Sequence, residues 1–132
     1  MAEKAGQVDY VELHLHTAFS FLDGASLAEE LVGRAVELGY RALAVTDHDG
    51  LYGAMEFALA AKGAGIAPIT GAEVTLTDGT HLTLLAETKA GYANLCRLLT
   101  AAHHAGLNDG PHELAPRSGA CRGGPPCPPS SR

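Results

Sequence analysis

From about Tyr10 to Leu99 the chain alternates short β-like runs with helical stretches, a pattern that argues for a parallel α/β sheet or barrel. Val11 to Leu15 is the first strand expected, and Ala42 to Thr46 the second, read as buried. Between them Ser26 and Glu29 have the spacing of a capping box, and Leu27, Leu31, Ala35 and Leu38 recur on one helical face that Gly39 brings to a stop. A second helix is expected from about Tyr52 to Lys62, ended by Gly63 and Gly65. Ala67 to Thr70 and Val74 to Thr77 read as two short strands, with Asp78-Gly79 as a hairpin turn into Leu82 to Ala86. A last helix, from about Ala90 to His103, carries Leu95, Leu98, Leu99 and Ala102.

Composition changes abruptly after Gly106. Six of the seven prolines (Pro111, Pro116, Pro125, Pro126, Pro128 and Pro129) fall in the last stretch, among Gly, Ser and Arg. Residues 1–102 carry a formal charge of -7 and residues 103–132 one of +1. These shifts divide the chain into one folded domain over about residues 8–105 and a disordered or non-native tail over 106–132. With 132 residues there is room for one core and not for two.

A net charge of -6 argues against an electrostatic clamp along nucleic acid, so any contact with DNA is expected to be confined to a site. Cys96, Cys121 and Cys127 form no C-x-x-C pair, which argues against a zinc knuckle or a disulfide framework. No run is apolar enough for a membrane span and no signal core opens the chain, so a cytoplasmic protein without membrane contact is expected.

Histidines and acids cluster where strands are expected to end. His14 and His16 lie two apart in Leu13-His14-Leu15-His16-Thr17, a spacing that points both rings to one face of a strand and lets one metal take both. Thr46-Asp47-His48-Asp49-Gly50 closes the second strand with three ionisable groups, although Asp47 or Asp49 would also serve as a helix cap. Asp23, Glu73 and His81 each have an ordinary reading as turn or strand-edge residues, and His103 and His104 sit late in a helix, where the dipole accounts for them. What raises the first two groups above coincidence is that the C-terminal ends of strands are where sites assemble in α/β folds.

Taken together, Glu12-Leu13-His14-Leu15-His16-Thr17, Phe19-Ser20-Phe21-Leu22-Asp23-Gly24 and Val45-Thr46-Asp47-His48-Asp49-Gly50-Leu51-Tyr52-Gly53 resemble the opening blocks of the PHP (polymerase and histidinol phosphatase) family. The branch they resemble is the one found at the N-terminus of bacterial error-prone DNA polymerases, of the DNA polymerase III alpha-subunit type. Gly71-Ala72-Glu73, His81-Leu82-Thr83-Leu84-Leu85-Ala86-Glu87 and Gly91-Tyr92-Ala93-Asn94-Leu95 follow in the family's order. The resemblance implies a distorted (β/α)7 barrel and assigns His14, His16, Asp23, His48, Glu73 and His81 to metal-ligand positions. It implies divalent ions (zinc, manganese or iron) acting on phosphoesters, with DNA as partner through the parent polymerase and replication or translesion repair as the setting.

The family's cluster also draws on later strands, including an Asp-x-His pair, and no such pair occurs in the second half of this chain. The polymerase residues that hold catalytic magnesium are missing as well. The sequence is therefore expected to be an N-terminal PHP piece that binds metal, is incomplete for catalysis and cannot polymerise DNA. Two alternatives stay open: a structural metal-binding module without turnover, and a phosphatase akin to histidinol phosphatase acting on small molecules.

Overall fold

A buried apolar run, Ala42–Val45, forms β1, in which Leu43, Ala44 and Val45 are each no more than 1% exposed. A strand buried on both faces is the kind a parallel sheet requires. The computed structural model describes residues 9–106, arranged as α1 (Ala28–Glu37), β1, α2 (Ala54–Gly63), β2 (Ala67–Thr75), β3 (His81–Leu85) and α3 (Lys89–Gly106). The tail expected over 106–132 lies outside the described residues, apart from Gly106. No helix among them is long and apolar enough to cross a membrane.

The sheet has the order β1-β2-β3 and is mixed rather than all-parallel. β1 runs parallel to β2 with Ala42 opposite Ala67 and Val45 opposite Thr70, joined by α2 as crossover. β3 returns antiparallel, Gly71 opposite Leu85 and Thr75 opposite His81, because Asp78-Gly79 reverses the chain. Gly79 takes φ 81°, which a side chain would resist, and the Asp78 carboxylate accepts bonds from the Thr80 N–H and hydroxyl. Where two short strands were expected, β2 is one strand of nine residues. Gly71 does not interrupt it. A Cβ there would lie 2.4 Å from the Leu84 carbonyl oxygen, so the glycine permits close approach of β3 instead of marking a break.

Two further expectations need correction. Val11 to Leu15 is extended and runs beside β1 but is not a regular strand. The Ala44 and Thr46 N–H groups donate to the Glu12 and Leu15 carbonyls at 2.9 and 2.8 Å, while the Leu15 N–H turns to the Thr46 hydroxyl at 3.0 Å, which diverts the ladder. The first helix begins at Ala28, with the Glu30 carboxylate accepting the Leu27 N–H at 2.9 Å, so the cap sits one residue later than the Ser26/Glu29 spacing suggests. Its buried stripe is Ala28, Val32 and Ala35, and Leu27 and Leu38 face solvent. Both early helices end as their glycines suggest. The Tyr40 and Ile66 N–H groups reach back to the Ala35 and Ala61 carbonyls, with Gly39 and Gly65 at φ 76° and 78°.

Packing divides into two clusters. Leu43 and Val45 pack with Val32, Phe57, Ala61 and Ile66 beneath α1 and α2, whereas Ala72 and Val74 of β2 pack with Leu95 and Leu99 of α3; Leu51 borders both. Phe57 is fully buried among mostly small neighbours, so little can collapse into the space it would leave. Phe57→Ala should therefore cost about 3–5 kcal/mol, a large share of the stability of a domain this small, and urea unfolding would read it as a midpoint shift. A loss under about 1 kcal/mol would mean that α2 is not anchored there.

Candidate metal centre

The site begins with hydrogen bonding past the end of β1. The Glu73 N–H donates to the Asp47 carbonyl at 3.1 Å and the Asp49 N–H to the Glu73 carbonyl at 2.8 Å, which sets His48 beside Glu73 in parallel register. Side chains alternate along extended backbone, which parts His48 from Asp47, and Asp49 turns off the strand direction at φ 48°. His48 enters the site, and the two flanking aspartates are occupied elsewhere. Asp49 accepts the Thr75 N–H and hydroxyl, both at 2.8 Å, and Asp47 accepts bonds from Thr17 and Ser20. Neither caps α2.

All six residues expected at ligand positions converge. Glu73 is central and nearly buried, its side chain 8% exposed. Its Oε2 meets His14 Nε2 and lies 2.9 Å from His16 Nε2, and its Oε1 lies 2.8 Å from His81 Nδ1. His16 bridges to the second carboxylate, with its Nδ1 2.5 Å from Asp23 Oδ2, and His48 Nε2 approaches the same oxygen at 3.0 Å. The rings of His16 and His48 are 4.4 Å apart and those of His48 and His81 5.3 Å. Three overlapping triads result: His14, His16 and Glu73; His16, Asp23 and His48; His48, Glu73 and His81. Within each, one donor atom per residue lies inside 4.8 Å of the others.

The donor chemistry fits divalent metal. Four imidazoles and two carboxylates, with no thiolate, suit borderline ions such as zinc, manganese or iron. Convergence of ring nitrogens, His14 and His16 Nε2 being 3.1 Å apart, presents lone pairs that a shared cation satisfies together and that protons satisfy only pair by pair. Electrostatics agree with the crowding. Burial pushes the Glu73 carboxyl up, but hydrogen bonds from His14 and His16, with the charges of His14 and His48, outweigh it and leave it below its usual value. Hydrogen bonds from His48 and His16 hold the exposed Asp23 carboxyl below its usual range too.

His103 and His104 stay apart from the cluster, as their helical position suggests; His103 Nε2 approaches the Asp49 carbonyl at 2.7 Å and links α3 to the loop after β1. Sequence reasoning missed Thr17 and Ser20 and weighed Asp47 only as one of three ionisable groups or as a helix cap; none of the three belongs to a donor triad, and together they tie its loops. Their signal was present only as burial of polar side chains, 2% exposed or less, which spacing does not reveal.

A PHP domain model matches residues 12–118. An error-prone DNA polymerase of Symbiobacterium thermophilum is 55% identical over 96 residues, covering 73% of this chain and 9% of the relative. That of Mycobacterium tuberculosis is 50% identical over 119 residues, covering 82% and 11%. The chain spans about a tenth of the length of these curated relatives. Among solved structures, an amidohydrolase of Chromobacterium violaceum aligns with a TM-score of 0.60 at 34% identity, over 74% of this chain and 34% of that one. A protein of Bifidobacterium adolescentis, described as a candidate metal-dependent phosphoesterase, aligns with a TM-score of 0.55 at 25% identity, over 80% and 36%.

A carboxyl lowered by folding adds stability above its ordinary value, 4.5 for Glu73, and loses it as pH falls through the lower value it has in the fold. Without added metal, stability to urea should therefore decline between about pH 5 and pH 3. Glu73→Gln removes the titrating group, so its slope in that window should be shallower than that of the unmodified chain; equal slopes would show that Glu73 is not held by these histidines.

Proposed function

The chain belongs to the PHP domain family, and on that premise we propose that it is the metal-binding, phosphoesterase-type domain of an error-prone DNA polymerase. The observation that carries the reading is the convergence of His14, His16, Asp23, His48, Glu73 and His81 into three overlapping triads. The described strands are then the first of a distorted (β/α)7 barrel, with β3 at the sheet edge where a next strand would pair. On this reading the folded domain runs over about residues 8–105.

His14, His16 and Glu73 would hold one ion, and His16, Asp23 and His48 or His48, Glu73 and His81 a neighbouring one. Ions bound there supply Lewis-acid polarisation of a phosphoryl oxygen and a template for the phosphate. The protein residues do the rest. Glu73, sunk in β2, is the fixed point against which three histidines are oriented, and His16 uses both ring nitrogens to keep the two carboxylates at a set separation. Asp23, His14 and His81 are about half exposed, so the cluster opens on one side to a phosphate group from solvent. DNA would therefore be engaged through its phosphoester at the cluster, in keeping with a net charge of -6.

The same openness supports a domain that binds metal and turns over slowly. Half-exposed ligands are held less firmly than buried ones, and a displacement of about 1 Å costs on the order of a hundredfold in rate. The structural reading, a brace that needs metal and hydrolyses nothing, lies at the limit of this one.

Manganese or zinc should raise the melting temperature of the 132-residue chain. His14→Ala and His48→Ala should each weaken metal binding by at least tenfold or so. Hydrolysis of a 3′-labelled single-stranded DNA should be slow or absent in all three proteins. Failure of the unmodified chain to bind either ion would overturn the proposal. Turnover matching an intact PHP nuclease, and abolished in the two variants, would overturn its slow-turnover part alone.

A further inference from the structure

Asp47 is a buried carboxylate, 2% exposed, and it is no member of a donor triad. Its Oδ1 accepts the Thr17 N–H at 2.7 Å and the Ser20 hydroxyl at 2.7 Å, and its Oδ2 accepts the Thr17 hydroxyl at 2.8 Å. Bonds of this kind are charge-assisted and offset the loss of hydration that burial imposes on a carboxylate. Both partners lie in the loop between His16 and Asp23, which joins the two ends of one triad.

Beyond Asp47, the loop is tied by the Ala18 N–H on the Ser26 carbonyl at 2.8 Å and by the Asp23 carboxylate meeting His16 and His48. Phe21 and Leu22 are 88% and 101% exposed, so they anchor nothing by burial, and Leu22 takes φ 66°, a conformation a leucine resists. The polar ties run from Asp47 outward. Ser20 accepts the Asp23 and Gly24 N–H groups on its carbonyl, at 3.0 and 2.8 Å, and Gly24 packs so closely on Thr17 that a Cβ would lie 2.0 Å from the Thr17 carbonyl oxygen. Gly53 closes the other side, where a Cβ would be 3.2 Å from both Asp47 Oδ2 and the Thr17 hydroxyl. The Ser20 hydroxyl also accepts the His48 N–H at 3.1 Å. One buried carboxylate thus joins the loop that carries Asp23 to the strand end that carries His48, and the two donors meet at 3.0 Å.

Resting on the metal-binding reading above, we infer that Asp47 is a positioning residue that holds Asp23 in the His16, Asp23 and His48 triad, and that its influence on metal passes through Asp23. Such outer contacts commonly govern metal affinity by about 10- to 100-fold. The effect is selective. Glu73, His14 and His81 are set by β2, β3 and the extended segment before β1, and they do not depend on the loop.

A double-mutant cycle on the full 132-residue chain tests this, with cobalt(II) as probe followed by calorimetry and by its absorption spectrum. Asp47→Asn should weaken one class of cobalt site by about 10- to 100-fold and leave another in place. Asp23→Ala should weaken the same class, and Asp47→Asn should add almost nothing in the Asp23→Ala background. Hydrogen exchange supplies a readout free of metal: in Asp47→Asn the amides of Ala18, Asp23 and Gly24 should lose protection while those of β2 keep theirs. If Asp47→Asn unfolds the chain, Ser20→Ala removes the hydroxyl that links Asp47 to the His48 N–H and carries the same cycle. An undiminished loss from Asp47→Asn in the Asp23→Ala background, or wild-type binding by Asp47→Asn, would overturn the positioning role while leaving the metal site standing. A wild-type chain that binds no cobalt, manganese or zinc would instead remove the site itself and this role with it.

Discussion

Parallel pairing of β1 with β2, continued one step beyond the strand by the bonds between Asp47, Glu73 and Asp49, is the constraint on which the rest of the site depends. It fixes His48 beside Glu73, and through Glu73 it fixes where His14, His16 and His81 can converge. The pairing is in turn held by burial. Leu43, Ala44 and Val45 have almost no exposed surface, and the helix between the strands, α2, contributes the buried Phe57 beneath them. A slip of one residue would turn every side chain of β2 to the opposite face and carry Glu73 out of the cluster.

The three ionisable residues that close β1 illustrate how a short polar run is divided between structure and chemistry. Alternation sends His48 one way and Asp47 the other, and Asp49 turns away at φ 48°. Asp49 is spent on Thr75 and so locks the register of β2, while Asp47 is spent on the loop that delivers Asp23. All buried polar side-chain atoms among the described residues find a partner, which is what keeping such groups out of water requires. The arrangement leaves the converging ring nitrogens of the cluster as the groups whose needs are best met by a ligand from outside the chain.

Glycines and small residues set the other distances. Gly71 lets β3 come close enough for His81 to reach Glu73, and Gly24 lets the Asp23 loop fold onto Thr17. Neither is a flexible hinge. Each is a place where a methyl group would meet backbone, so the site's dimensions are set partly by atoms that are missing.

Much of this could be read from residues alone, because it depends on local order. Helix stops at Gly39 and Gly65, the Asp78-Gly79 reversal, and the pairing of two histidines on one face of an extended segment are properties of neighbours in sequence. The six donors, too, were singled out as residues, though chiefly through resemblance, since Asp23, Glu73 and His81 are ordinary when taken one at a time. What only the tertiary structure decided is what depends on partners far apart in the chain. The stripe of α1 rotated to Ala28, Val32 and Ala35 because the sheet it packs on selects the face, and Val11 to Leu15 lost its ladder to the hydroxyl of Thr46, thirty-one residues away from Leu15. β2 came out as one strand because β3 lies against Gly71. Above all, Asp47 took its place as a buried clamp rather than a helix cap or a ligand, since a carboxylate's role is set by which donors surround it, and Thr17 and Ser20 reach it only when the loop folds back across β1.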